Sequence, residues 1–216
     1  MTEEECKSVF KYYHSLELDV FSTEPYVAID ADNFKSFSIF YNKSLISICN
    51  ETDMIMKLLC KTVNPDFKGD NIKKYCSCIQ SRYGGFNNEE VLFESYRISL
   101  APWKNWTIDN TPEWWRDYTM IKHQRLEFDE NGIQHFKKAN LHNVLSALSA
   151  LYITLQYLFY ENELASNPEG NAGYHPIMLI CKSAKLSICN WKKCYSFFSG
   201  SMFFDLSKLK THIDPK

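Results

Sequence analysis

The chain has 216 residues, 45% of them hydrophobic and 23% charged, with a formal net charge of −2. Those values fit an ordinary globular protein and exclude disorder, and the balanced charge excludes general electrostatic affinity for nucleic acid. Seven glycines and seven prolines argue against a many-turned all-β fold, and 15 Phe, 13 Tyr and 5 Trp supply aromatic cores and an aromatic interface.

Residues 3–21 read as a first helix, with Val9, Phe10, Tyr13, Leu16 and Val20 at helical spacing. Pro25 ends it, and Tyr26–Ile29 reads as a short extended piece. Asp30-Ala31-Asp32-Asn33 signals a second helix from about Phe34 to Val63. Its stripe is Phe37, Tyr41, Leu45, Ile48, Thr52, Ile55 and Leu59, widened by Ile46, Met54 and Leu58. Asn64-Pro65 stops it. Asp70-Asn71 opens a third helix, Ile72 to Tyr83, closed by Gly84-Gly85.

Residues 91–100 favour extended structure, as one strand or a small hairpin. Thr111-Pro112-Glu113 combines a capping hydroxyl, Pro at the first position and an acid in the first turn. It starts a fourth helix that ends near Leu126 to Asp129, before a turn at Asn131-Gly132. A fifth helix covers about Phe136 to Asn162, with Ala147 and Ala150 allowing close approach of another helix. Residues 166–173 read as a loop. Apolar runs at Ile177–Cys181 and Phe203–Leu206 fit strand or helix equally. The expectation is a mainly α single domain over 1–216, with a bundle core at 34–162 and a C-terminal extension at 163–216.

The N-terminus lacks the pattern of a signal peptide, and the most apolar stretch, Val144 to Tyr160, is interrupted by Ser146, Ser149, Thr154 and Gln156. Neither a membrane span nor export is expected, so the reading is cytoplasmic. The eight cysteines form no Cys-x-x-Cys pair and have no accompanying His cluster, which favours reduced, mostly buried thiols over zinc. No metal and no cofactor is expected. His14, His135, His142, His175 and His212 are assigned to exposed faces or loops.

The fourth helix concentrates the chemistry. In Trp114-Trp115-Arg116-Asp117-Tyr118-Thr119-Met120-Ile121-Lys122-His123-Gln124-Arg125, Arg116 and His123 are seven residues apart. At about 100° per residue they leave one helix face about 10 Å apart along the axis. The Arg116–Arg125 helix is the leading local basic patch, followed by Lys137-Lys138 and Lys182 to Lys193. Glu51 lies among Ile48, Met54, Ile55 and Leu58 at helical spacing. An unpaired carboxylate there would be costly, so it is expected to meet Lys122 or Arg125, either as a structural ion pair or as a group that positions His123.

Tyr118-x-x-Ile121-Lys122-His123-x-Arg125, followed by Phe136-x-Lys138-Ala139-Asn140-Leu141-x-Asn143-Val144-Leu145-x-Ala147-Leu148, resembles a group of prokaryotic helical proteins similar to HEPN domains. The likeness spans about residues 36–162 and is sharpest over 114–148. HEPN domains carry Arg-x(4–6)-His, usually with a polar residue after the Arg, and Arg116-Asp117-x5-His123 fits with six residues between. Asn is more usual in the group where Thr119 stands.

The resemblance implies an elaborated HEPN-like bundle and a homodimer in which Arg and His of two protomers face one cleft and cut RNA without metal. His123 would act as general base or acid, and Arg116 would hold the scissile phosphate. Lys122 and Arg125 would hold flanking phosphates, and Asp117 would orient Arg116. Tyr118 would line the site, and exposed Trp115 would lie near the two-fold axis. A toxin or defence role with a cognate regulator protein follows by fold-level analogy. The alternative is a non-catalytic helical module that binds nucleotide, RNA or a protein partner, in which the same charges form a solvated face and His123 packs structurally.

Overall fold

In a computed structural model, which describes residues 1–166 and 181–189, the chain is mainly helical with a small antiparallel sheet. Helix α1, Glu3–Phe21, starts at a reciprocal cap: the Thr2 hydroxyl accepts from Glu5 N–H, and the Glu5 carboxylate accepts from Thr2 N–H. Cys6, Tyr13, Leu16, Val20 and Phe21 face inward, while Val9 and Phe10 are half-buried. Turns follow at Ser22–Tyr26, in place of the extended piece expected at Tyr26–Ile29.

Helix α2, Ile39–Val63, begins five residues later than the sequence suggests. Asp30 caps only a short 3-10 turn, Ala31–Asn33. The Ser38 hydroxyl, accepting from Tyr41 N–H at 3.0 Å, starts the helix proper. Phe37 is held outside by an antiparallel bridge to Asn140, so it leaves the inner stripe and is 45% exposed. Tyr41, Leu45, Ile48, Thr52, Ile55 and Leu59 are buried as their spacing requires. Helix α3, Ile72–Arg82, is capped by the Asn71 side chain on Lys74 N–H.

Strands β1, Val91–Phe93, and β2, Ile98–Leu100, form the hairpin expected within 91–100, with Leu92 opposite Ser99. A third strand, β3 at Leu186–Ile188, pairs antiparallel with the other edge of β1, giving the order β2-β1-β3. The buried Glu17 carboxylate anchors this segment, accepting from Ser183 Oγ and from Tyr13 Oη. Most of Ile177–Cys181 and all of Phe203–Leu206 lie outside the described residues.

Helix α4 spans Glu113–Gln124. Pro112 occupies its N-cap position with no side-chain cap bond, so Thr111 is not the capping hydroxyl. The helix stops at Gln124 because Leu126–Asp129 turns into a small β-like hairpin, with Phe128 bridged to Gln134 and Gly132 at φ 72°. His135–Lys138 is a 3-10 turn rather than the start of the last helix. Helix α5 begins at Leu141 and runs to Ser166.

The core lies between α2 and α5, closed by α1, α3 and α4. An aromatic cluster fills one end: Trp103 stacks obliquely on Trp106, Phe86 and Trp114 pack against Trp103, and Tyr157 meets Phe86 edge-on. No described helix is long and apolar enough to cross a membrane. The seven described cysteines are free; five are buried, and Cys78 and Cys189 are half-buried.

Candidate functional site on helix α4

Helix α4 divides its residues by face. Trp114, Asp117, Tyr118 and Ile121, at spacings of three and four, point inward together with Trp115. Trp114 Nε1 donates to the Pro102 carbonyl at 2.8 Å. Trp115 packs edge-on against both Trp114 and Tyr118 and is only 7% exposed. That corrects the expectation of an exposed Trp115 at a two-fold axis: its indole is core, packed between Trp114 and Tyr118.

Asp117 is also redirected. Its carboxylate accepts from Asn143 Nδ2 at 2.8 Å and pairs with Lys138 Nζ at 3.3 Å, and Lys138 also reaches Asp129 at 3.2 Å. Asp117 therefore fastens α4 to α5 and the 3-10 turn and does not orient Arg116. Lys138 is tuned accordingly. Partial desolvation works against its charge, but Asp117 and Asp129 outweigh it and raise its pKa. The Asp129 carboxyl is lowered, first by the Ile133 backbone N–H and then by Lys138.

On the side facing α2, Tyr118 Oη donates to Asn50 Oδ1 at 2.8 Å, and Lys122 Nζ donates to Tyr118 Oη at 3.0 Å. The Tyr118 hydroxyl, with Asp53 nearby, holds the Lys122 ammonium in its charged form, whereas burial pushes the Tyr118 phenol up. Glu51 makes no ion pair among the described residues. It is half-buried, and desolvation alone raises its carboxyl pKa. The expected Glu51 partnership with Lys122 or Arg125 is thus replaced by one from its neighbour Asn50. A one-residue step turns a helical side chain by about 100°, and Asn50 is the residue so aimed.

On the outer face, Arg116, His123 and Arg125 are exposed, and their side chains have no hydrogen-bond or ion-pair partner among the described residues. Arg116 stands at a cleft of about 620 Å³ between α3, α4 and the 3-10 turn, with Ile72, Trp115, Thr119, Met120 and Lys138 among its walls. His123 is not one of those walls. The two residues of the Arg-x6-His pattern therefore share an exposed helix face without sharing this cleft.

Among the described residues no three His, Cys, Asp or Glu side chains gather as metal ligands. His135 is buried rather than exposed, with Nδ1 3.0 Å from the Gln124 carbonyl at the end of α4. His142 is half-buried against Phe34, and His14 meets Glu17. His175 and His212 lie outside the described residues. No family model, no curated protein and no solved structure matches the chain.

The polar network of Asn50, Asp129, Lys138 and Asn143 was not assigned from sequence. Asn143 did carry a signal: an amide at the head of the apolar run Val144-Leu145 must find partners when buried.

Proposed function

We propose that this chain is a HEPN-like helical protein that cuts RNA without a metal, using Arg116 and His123. The reading is carried by one observation. Within a helix whose Asp117, Tyr118 and Lys122 are all engaged, Arg116 and His123 are exposed two turns apart and have no side-chain partner among the described residues. A free guanidinium can grip two phosphate oxygens. A free imidazole can take the 2′-hydroxyl proton as the 2′-oxygen attacks phosphorus. The 5′-oxygen then leaves and gains a proton, and the other product ends in a 2′,3′-cyclic phosphate.

Arg125 would hold a flanking phosphate, and Lys122, anchored on Tyr118, would add fixed positive charge. Tyr118 acts as support for the helix through Asn50 and Lys122 rather than as a group that touches RNA. A homodimer would bring two Arg-His sets together. A toxin or defence role in the cytoplasm, restrained by a cognate regulator protein, belongs to the same reading by analogy.

The second reading is a non-catalytic module that binds nucleotide, RNA or protein. It is favoured by the separation of His123 from the Arg116 cleft and by the lack of a described carboxylate to fix the His123 tautomer.

The test is incubation of purified protein with single-stranded RNA in EDTA. Cutting with cyclic-phosphate ends, abolished in His123→Ala and in Arg116→Ala while circular dichroism is unchanged, supports the nuclease. Equal cutting by wild type and His123→Ala points to a contaminant and removes the nuclease reading. RNA binding without cutting leaves the module.

A further inference from the structure

The last turn of α2 and the middle of α3 each send a thiol against the other's backbone. Cys60 Sγ lies 4.0 Å from the Tyr75 carbonyl, and Cys78 Sγ lies 3.7 Å from the Cys60 carbonyl. The two thiols are also hydrogen-bonding neighbours, with Cys60 donating to Cys78. Cys6 and Cys181 approach in a similar way, with Cys181 Sγ 3.9 Å from the Cys6 carbonyl, but both are fully buried and so shielded from any reagent.

The α2–α3 pair is open on one side. Cys60 is fully buried, whereas Cys78 is half-buried and forms part of the wall of a cleft of about 560 Å³ between the 63–69 loop and α3. Gly69 lets that loop lie close to the helix: a Cβ there would fall 2.1 Å from the Phe67 ring and 2.8 Å from Lys74 Cβ. The Ser77 and Ser81 hydroxyls and the charged groups of Asp66, Lys68 and Lys74 line the same cleft. Lys74 is held by Asp70 at 3.0 Å, while Asp66 and Lys68 make no ion pair among the described residues. A free carboxylate and a free ammonium suit a ligand that carries one of each, as amino acids and short peptides do.

We infer that Cys78 is a site of thiol–disulfide exchange with small zwitterionic disulfides of the peptide-thiol class, and that Cys60 resolves the product into a Cys60–Cys78 disulfide. The Cys78 thiolate attacks one sulfur of R–S–S–R. That S–S bond breaks, Cys78–S–S–R forms, and the first R–S⁻ leaves. The Cys60 thiolate then attacks Cys78 Sγ, the mixed bond breaks, and the second R–S⁻ leaves. The two protons given up by Cys60 and Cys78 end on two R–SH, and two electrons pass from the cysteine pair to the small disulfide.

The order of attack follows from the surroundings. A reagent in the cleft meets Cys78 first. Burial pushes both thiols up, but the hydrogen bond from Cys60 works against this at Cys78 and adds to it at Cys60, so Cys78 supplies thiolate more readily. The link would fasten the end of α2 to α3, and the inference does not rest on RNA cutting.

The test incubates reduced full-length protein with oxidised glutathione under native conditions, blocks free thiols with N-ethylmaleimide and maps the peptides by mass spectrometry. Wild type is expected to lose the alkylatable thiols of Cys60 and Cys78 and to yield their cross-linked peptide pair with no glutathione retained. Cys60→Ala should keep one glutathione on Cys78, released by dithiothreitol. Cys78→Ala should leave Cys60 unmodified until the protein is unfolded. Circular dichroism checks that each variant folds, and the wild-type map decides the linkage without either. Cys60 and Cys78 both still alkylatable in wild type overturn the inference. So does glutathione retained on wild-type Cys78, a Cys78 disulfide to any other cysteine, or glutathione on Cys60 in folded Cys78→Ala.

Discussion

Helices α5 and α4 differ in enclosure: α5 is surrounded over most of its length, whereas α4 keeps one face in solvent. From Asn143 to Phe159 every residue of α5 is buried, including Ser149 and Thr154, whose hydroxyls donate to the Leu145 and Ala150 carbonyls one turn back. Those two hydroxyls are satisfied inside the helix, and Asn143, Gln156 and Tyr157 are satisfied by Asp117, the Cys181 carbonyl and Glu89 on the elements that enclose it. Helix α4 sends its inner polar groups across in the same way, Asp117 to Asn143 and Lys138, and Tyr118 to Asn50. On its outer face the Arg116 and His123 side chains have no hydrogen-bond or ion-pair partner among the described residues. The enclosed helix is scaffold, and the divided helix has chemical capacity to spare.

The largest effect that sharpens this contrast is expected in α5. Leu148 is fully buried, and Leu148→Ala should cost about 3 kcal/mol through lost transfer energy and the residual cavity. Urea unfolding with an unchanged m-value would measure it. A loss under about 1 kcal/mol would mean that α5 is not the centre of the core.

The same contrast explains what the sequence made legible. Periodicity placed all five helices, since burial of one face requires it. It missed the starts of α2 and α5, where Ser38 capping, the Phe37–Asn140 bridge and the 135–138 turn override the apolar pattern. It foresaw the 91–100 hairpin but not β3, whose pairing with β1 joins residues far apart in the chain. On α4, the shared face of Arg116 and His123 follows from helix geometry alone. The partners of Asp117 and Tyr118 do not, because they lie on other elements. Trp115 is buried along with Trp114, because its ring packs on both Trp114 and Tyr118, contacts that helical spacing alone does not specify.

Asp117 tests the crossing network directly. Asp117→Ala removes one partner from Lys138 and one from Asn143, and should cost about 2 kcal/mol, moderated because Lys138 keeps Asp129. The pH profile carries its own sign. The lowered Asp129 carboxyl gives stability that is present above about pH 4 and lost as pH falls through its folded value. The raised Lys138 gives stability present below about pH 10 and lost as pH rises through its folded value. Lys138→Met should flatten the alkaline flank of a melting-temperature profile and only weaken the acid flank, because the Ile133 N–H still holds the Asp129 carboxylate. Unchanged acid and alkaline flanks would show that the triad is solvated and contributes nothing.

The smallest effect belongs to the outer face and bears most directly on function. Arg116 and His123 are exposed and lack described partners, so replacing either removes no packing and leaves no charge unpaired. Arg116→Ala and His123→Ala should each change stability by no more than about 0.5 kcal/mol. Chemical denaturation of the two variants beside Asp117→Ala reads this on one scale. A loss above about 1 kcal/mol at either position would mean that the side chain is engaged in the folded protein. Loss of RNA cutting in that variant could then reflect a weakened α4 rather than a missing reacting group. A neutral result at both positions makes any loss of cutting a statement about chemistry, because the helix that carries the two residues would be intact.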